Sequence, residues 1–283
     1  MGKERKIMNP ILTLKEIEAR TPSVFADTPA EEVSSRYKLI PTIEIVRQMM
    51  NEGWGITRAQ QQAVRDVNKQ NSTKHMLRFR RIDMKEPELD GLIPEVVLFN
   101  AHNGKLSYRL MAGIFRLVCS NGMVVAAGGE MEIRVRHTAD PAEVIRASND
   151  IFHHAEDTIK RIPLFQNRIL TNDEQLQFAE RALFLRYKHI PREDWPVRPV
   201  ILNKAIRMKD EGDDLWHTFN RVQGNLLNGG IRDTALPTIG KSTTGEIRRI
   251  HRAIRPVRAI TTDIKLNRSL WKLTEDALLR PQS

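Results

Sequence analysis

Apolar residues recur at helical spacing near the start of the chain, then at strand spacing, then at helical spacing again. Residues 1–41 are broken by Pro10, Pro22, Pro29 and Pro41 and read as a wrapping segment of short helices and turns, with Leu12, Leu14 and Ile17 as docking contacts. After Pro41, residues Ile43, Val46, Met49 and Met50 share a helical face and Gly53 follows as a stop, which predicts an amphipathic helix over 42–52. The period then changes to two. Leu77 and Phe79 alternate with Arg78 and Arg80, as in a strand with one wet face. Apolar runs at 95–99 and 114–119, alternation at Leu106, Tyr108 and Leu110, and the turn pairs Asn103-Gly104 and Asn121-Gly122 extend the pattern. With Met123 to Ala126 and then Met131, Ile133 and Val135, they predict an antiparallel meander of four or five strands over 75–137, bent or bulged at Gly113.

Helical spacing returns at Asp140-Pro141-Ala142-Glu143, which has a cap, a proline suited to the first helical position and a capping-box acid. Val144, Ser148, Ile151, Ala155 and Ile159 form its inner stripe, and Pro163 is the expected end. A further helix starts near Asp173 and carries Leu176, Ala179, Leu183 and Tyr187. Trp195-Pro196 and Arg198-Pro199 mark a linker-like stretch. Asp213 or Asp214 caps a helix with the stripe Leu215, Phe219, Val222 and Leu226, stopped by Asn228-Gly229-Gly230. A loop over 231–244 precedes a basic helical pattern around Ile247, Ile250 and Ile254, and a last helix surrounds Leu266, Leu270 and Leu273. Strands followed by helices predict an α+β fold, the meander packed by helices and followed by a mainly helical C-terminal half. The expected division is a wrapping segment 1–41, a mixed α/β core 42–192 and a basic helical region 193–283, either separate or part of the same domain.

Composition narrows the chemistry. A chain of 283 residues, 40% of them hydrophobic, can bury a core without staples. The single cysteine, Cys119, excludes an intramolecular disulfide, and a buried structural thiol is its expected role. No apolar run approaches membrane-spanning length and no signal-peptide core follows the charged N-terminus, so a cytoplasmic protein is expected. Eight histidines include no HExxH, and His153 and His154 point about 100° apart on a helix, beside Glu156 and Asp157 on a solvated face, so no metal site is expected. Gly240-Lys241-Ser242-Thr243 resembles the end of a phosphate loop but has Ala235 where its first glycine belongs. Helix capping accounts for Glu211, Asp213 and Asp214, and no cofactor is expected.

Charge remains. Forty-five Lys and Arg oppose 35 Asp and Glu, a formal net charge of +10, which makes a polyanion the first partner to consider. Arg78 and Arg80 share one strand face, Arg134 and Arg136 another, with Arg109 and Arg116 on strands between. Guanidinium groups suit phosphate because their planar fork binds two oxygens at once. Lys241, Arg248, Arg249, Arg252, Arg255 and Arg258 are opposed only by Glu246, and on a helix Arg248, Arg252 and Arg255 would share a face. Aromatics make up 6%, and only Tyr37, Trp54 and Trp195 are expected to be free for base stacking.

His75-Met76-Leu77-Arg78-Phe79-Arg80, Asn100-Ala101-His102-Asn103-Gly104 and Phe115 to Gly122 resemble motifs of the phage- and plasmid-borne "domain of unknown function 932" proteins. Trp216, Asn220 to Leu226, Gly229-Gly230 and Leu266 to Trp271 follow in the same order, so the likeness spans roughly 38–275. Ala101 and Gly224 depart from the Ser and the acidic residue common there. The resemblance implies a mobile-element origin and a shared polar set at His75, Arg78, Arg80, Asn100, His102, Arg116, Asn121, Asn220, Gln223 and Asn267. The leading expectation is a single-stranded DNA-binding protein that anneals strands in recombination, holding the backbone through its arginines, in the host cytoplasm if phage-encoded. An enzymatic alternative is a nucleotide or nucleic-acid hydrolase or transferase using His75 and His102, which requires the two rings to meet in a concave pocket with a carboxylate. A third is an inhibitor of a host defence protein. The oligomeric state stays open, a homo-oligomer being one option.

Overall fold

Thr13 starts the first helix by bonding the Glu16 amide while Glu16 returns to the Thr13 amide, a reciprocal cap for α1 (Leu14–Arg20). The computed structural model describes residues 10–30, 33, 39–84, 89, 91–104, 106–116, 122–124, 132–135, 140–241 and 247–280; at 115, 116, 122–124, 141, 237–241 and 247–252 this extends to the backbone alone. By packing, the chain forms two compact units, 1–160 and 161–283.

In the first unit a 3-10 turn (Pro22–Phe25) and α2 (Thr42–Asn51) precede six strands. They are β1 (Trp54–Gln61), β2 (His75–Arg81), β3 (Leu92–Asn100), β4 (Tyr108–Arg116), β5 (Gly122–Val124) and β6 (Glu132–Val135). The order is β1-β2-β3-β4, every pairing is antiparallel, and β5 and β6 both join β4 along different stretches. The meander is therefore present, preceded by β1, a strand the hydrophobic pattern conceals. A register shift between Ile56 and Arg58 breaks its alternation. The β3–β4 ladder, by contrast, passes Gly113 without interruption, so the bend expected there is corrected.

Leu77, Phe79, Val96, Leu98, Leu110 and Ala112 line one sheet face. They join Ile45, Val46 and Met49 of α2 and Val144, Ala147, Ile151 and Ala155 of α3 (Pro141–Asn167) in one core, where Trp54 meets Phe152 edge-on at 5.2 Å. Asp140 accepts the Ala142 amide at the start of α3. Pro163 does not end α3, which continues to Asn167. The hydrogen bond lost there is offset by complete burial of Ile162 and Phe165 on either side.

The second unit contains the end of α3, then α4 (Asn172–Tyr187), a four-residue α5 (Pro199–Leu202) and α6 (Leu215–Asn228). A two-stranded antiparallel ribbon, β7 (Arg232–Lys241) with β8 (Ile247–Ala253), and α7 (Ile260–Leu278) complete it. Asp214 caps α6 by accepting the His217 amide, and Leu215, Phe219, Val222 and Leu226 are fully buried, as the spacing predicts. Phe165, Phe219 and Trp271 pack as a ring cluster, with centroids 5.2 and 5.8 Å from Trp271. α4 packs against α5, α6 and α7. The division between units falls inside α3, between Lys160 and Arg161. Gly229 has φ +67°, and a Cβ on it would lie 2.5 Å from the Ile254 carbonyl oxygen, so this stop admits no side chain.

The expected basic helix around Ile247 is a strand. Arg248, Arg249 and Arg252 lie on β8, opposite Gly240, Ile239 and β7's earlier residues, and Lys241 ends β7. Of the three residues spaced i, i+4, i+7, Arg248 and Arg252 still fall on one side by strand alternation, while Arg255 lies beyond β8; Arg255 and Arg258 are exposed. Ile247, Ile250 and Ile254 satisfy helical spacing by count, but β-branched residues pair readily, and the partner strand supplies the bonds.

Candidate functional site

The sheet face opposite the core carries Arg78 and Arg80 on β2, Glu95 on β3, Arg109 on β4, and Glu132 and Arg134 on β6. Guanidinium groups from distant stretches are thus gathered on one face, but not as a wet surface. Arg78 is 4% and Arg80 5% exposed, which corrects the expectation for both. Nε of Arg78 donates to Glu95 Oε2 at 2.6 Å, and Thr57, in the β1 bulge, donates its hydroxyl to the same carboxylate at 3.0 and 3.1 Å. Burial pulls the Arg78 guanidinium below the usual arginine pKa and Glu95 opposes that shift; Arg80 shows the same two influences.

Arg109 and Arg134 lie directly opposite each other, a repulsive placement that Glu132 relieves. Its Oε1 is 2.6 Å from Arg134 Nε and 3.6 Å from Arg109 Nε. The Arg134 side chain remains 63% exposed and that of Arg109 34%, so both can still meet a phosphate. Arg136, Asn121, Cys119 and Tyr37 lie outside the described residues, as does the side chain of Arg116. Trp54 and Trp195, expected as free rings, are 0% and 5% exposed.

The polar set divides between the units. In the first, Gln61, His75 and Asn100 form a row of cross-strand neighbours on β1, β2 and β3, and His102 follows β3. Thr42 starts α2 and Ser23 sits on the 3-10 turn above them. Ser23, Thr42, His75, Asn100 and His102 are all 0% exposed. Thr42 Oγ1 lies 3.0 Å from His75 Nε2, 3.2 Å from His102 Nε2 and 3.1 Å from the Asn100 amide that donates to it. His75 Nδ1 is 3.0 Å from Ser23 Oγ, which donates to Gln61 Oε1 at 2.7 Å, and Gln61 donates to the Gln70 carbonyl at 2.8 Å.

Valence sets the direction of this chain. His75 Nδ1 also lies 3.2 Å from the Thr73 carbonyl, an oxygen that only accepts, so Nδ1 carries the proton. In a neutral ring Nε2 then accepts from Thr42, which has one proton and so accepts from both Asn100 and His102. A neutral His75 is then the Nδ1–H tautomer and a neutral His102 the Nε2–H tautomer. The rings do meet, with centroids 5.2 Å apart. Among the described residues, the hydroxyls of Ser23 and Thr42 and the amide of Asn100 that hold them are at zero exposure. The arrangement ties the 3-10 turn, α2 and three strands together.

In the second unit Gln223 donates to Asn267 at 2.7 Å and Asn267 to Asp263, bridging α6 and α7, while Asn220 bonds back to the Trp216 carbonyl. Sequence spacing missed the hub beside them. Arg221, 6% exposed, reaches Asn203, Gln175, Thr218 and the Gly212 and Asp210 carbonyls. Burial lowers its pKa, and Asp213, Asp214 and Asp210 oppose the shift. Arg221 sits among the motif residues, but a charged group between Asn220 and Gln223 looks like helix surface until the Phe219 and Val222 faces are both known to be covered.

Asp233, fully buried at the start of β7, accepts from the Arg198 amide at 3.0 Å, from Arg198 Nε at 2.8 Å and Nη2 at 3.1 Å, and from the Ala235 amide at 3.1 Å. The Arg198 guanidinium foremost holds this carboxyl below the usual range. Such a group stabilises the fold above the ordinary carboxylate pKa, and that contribution is lost as pH falls through the depressed one. Thermal melts across acid pH should therefore show a drop in wild-type Tm that is shallower in Asp233→Asn. Parallel profiles would contradict this.

His153 and His154 are exposed on α3, His153 Nδ1 lying 3.2 Å from Glu156. Among the described residues no group of three or more His, Cys, Asp or Glu could hold a metal ion. Gly240 and Lys241 lie on β7, and residues 242–246 are outside the description. No helix among the described residues is long and apolar enough to cross a membrane.

Residues 29–271 match the family described as "Domain of unknown function (DUF932)". The chain is 36% identical over 275 residues to the UPF0380 protein YfjQ of Escherichia coli K12, covering 96% of this chain and 93% of that protein. It is 35% identical over 275 residues, with the same coverage, to the UPF0380 protein YafZ of the same organism. No solved structure matches the chain.

Proposed function

The chain belongs to the DUF932 family, whose description carries no activity, and we propose that it binds single-stranded nucleic acid, DNA in the first place, by gripping phosphates rather than stacking bases. The observation that carries this reading is the β7–β8 ribbon and the chain after it: over 241–258 the sequence sets Lys241, Arg248, Arg249, Arg252, Arg255 and Arg258 against one acid, Glu246, and Asp233 at the start of β7 is already bound by Arg198. An imbalance of that size repels itself unless an anion is bound. A two-stranded ribbon is also a shape that nucleic acid accepts, its backbone bonds already made within the pair.

Burial of Trp54 and Trp195 favours backbone contact over stacking. A strand held by its phosphates keeps its base edges free to pair, which suits annealing of complementary strands in recombination. In the first unit, exposed Arg134 and half-buried Arg109 are further cations that a phosphate could meet. Fluorescence anisotropy of a labelled single-stranded oligonucleotide should show binding at about 50 mM salt that weakens by orders of magnitude near 200 mM. The protein should also speed annealing of complementary strands. No binding at the lowest salt would overturn the proposal.

A further inference from the structure

In the second unit a groove of about 860 Å³ runs between α4, the 190–195 connection and α7. A hollow of about 550 Å³ adjoins it along α4, sharing Gln177, Glu180, Arg192 and Trp195. Together they leave one side of α4 uncovered: residues 173, 177, 180 and 184 fall within about 60° of one another around the helix. Large apolar groups stand in this trough. Phe184 is 57% exposed, Val200 46% and Ile190 42%, and Phe184 is the one exposed Phe, Tyr or Trp ring among the described side chains. An exposed aromatic ring on the open face of a helix, with Ile190 in the same groove and Val200 in the adjoining hollow, is the composition of an interface rather than of a solvated surface.

Charge along the trough is ordered. Asp173 and Glu193 line the end near the start of α4, together with Arg198, whose charge is met by buried Asp233 at 2.8 Å, whereas Arg181 and Lys272, with Asp276 beside them, line the end near its finish. The Arg192–Glu180 ion pair, 2.9 Å, lies between and neutralises the middle. The trough is therefore acidic at one end, basic at the other and apolar along its floor.

We propose that this face binds a second copy of the chain across a two-fold axis, α4 lying antiparallel against the partner's α4. A two-fold interface uses the same patch on both subunits, so the patch has to complement itself once reversed. Antiparallel pairing sets the Asp173 end of each copy against the Arg181 and Lys272 end of the other and closes the exposed Phe184 into the contact. A uniformly acidic or basic partner would match one end and oppose the other. The dimer holds two basic ribbons, one per chain, on a single particle.

Light scattering and sedimentation of the full chain test this. The wild type should be a dimer at micromolar concentration. Arg181→Glu and Asp173→Arg should each weaken self-association by about tenfold or more, because each sets like charges together twice per dimer. An equimolar mixture of those two variants should regain the wild-type dimer, since each chain retains the charge that the other's substitution requires. A misfolded variant could not be rescued by mixing, so the mixture separates loss of the interface from loss of fold. A wild type that stays monomeric, variants that dimerise like the wild type, or a mixture that stays weak would each overturn the proposal.

Discussion

Glu95→Ala is expected to destabilise the protein by about 3–5 kcal/mol in urea denaturation, the range for stripping one partner from a buried ion pair. Arg78 and Glu95 meet at 2.6 Å with side chains 5% and 2% exposed, so the truncation leaves a guanidinium in the interior with its closest countercharge gone. Thr57 loses the two nearer acceptors of its hydroxyl at the same time and keeps only the Arg78 carbonyl at 3.5 Å. The control is the apolar pair. Arg78→Met with Glu95→Leu removes both charges, and much of the lost stability should return, because the desolvation cost of the ions disappears with them. If Glu95→Ala alone cost under about 1 kcal/mol, as exposed pairs do, the pair would not be the buried structural element described above.

Thr42→Val should cost a similar amount, about 3–5 kcal/mol. Valine keeps the shape of threonine but neither donates to His75 nor accepts from His102 and Asn100, so three groups at zero exposure each lose a bond. Each unmet buried polar group costs about 1–3 kcal/mol. Thr42→Ser, which keeps the hydroxyl, should retain most of the stability. NMR of the ring nitrogens would further show His75 protonated on Nδ1 and His102 on Nε2 in the wild type. A valine variant as stable as the serine one would mean that the chain of bonds contributes little.

What the sequence displays and what it hides follow from the range of the interactions involved. α6 is legible because its signals are local: Asp214 caps it, four apolar residues share one face, and Gly229 stops it. β1 is hidden by the shift at Ile56–Arg58, which throws its alternation out of phase. The β8 segment satisfies helical spacing on its own, and only β7, outside any local window, decides that it is a strand. Alternation on β2 suggests a wet face for Arg78 and Arg80. The unbroken apolar run Val96 to Phe99 on the neighbouring strand already signals that both faces are covered, and Glu95 within that cover is the countercharge. His75, Asn100 and His102 stand out in motifs, but nothing local marks Thr42 or Ser23, which meet them from 33 and 52 residues away in the chain.

The central claim is that the ribbon holds nucleic acid by its phosphates, and the salt dependence of binding tests it most directly. The slope of log affinity against log salt should be compared for the wild type and for Arg248→Ala, Arg249→Ala and Arg252→Ala combined. Three lost phosphate contacts on a single strand should make the slope shallower by about 2. A triple variant that binds with the wild-type affinity and slope would contradict the account.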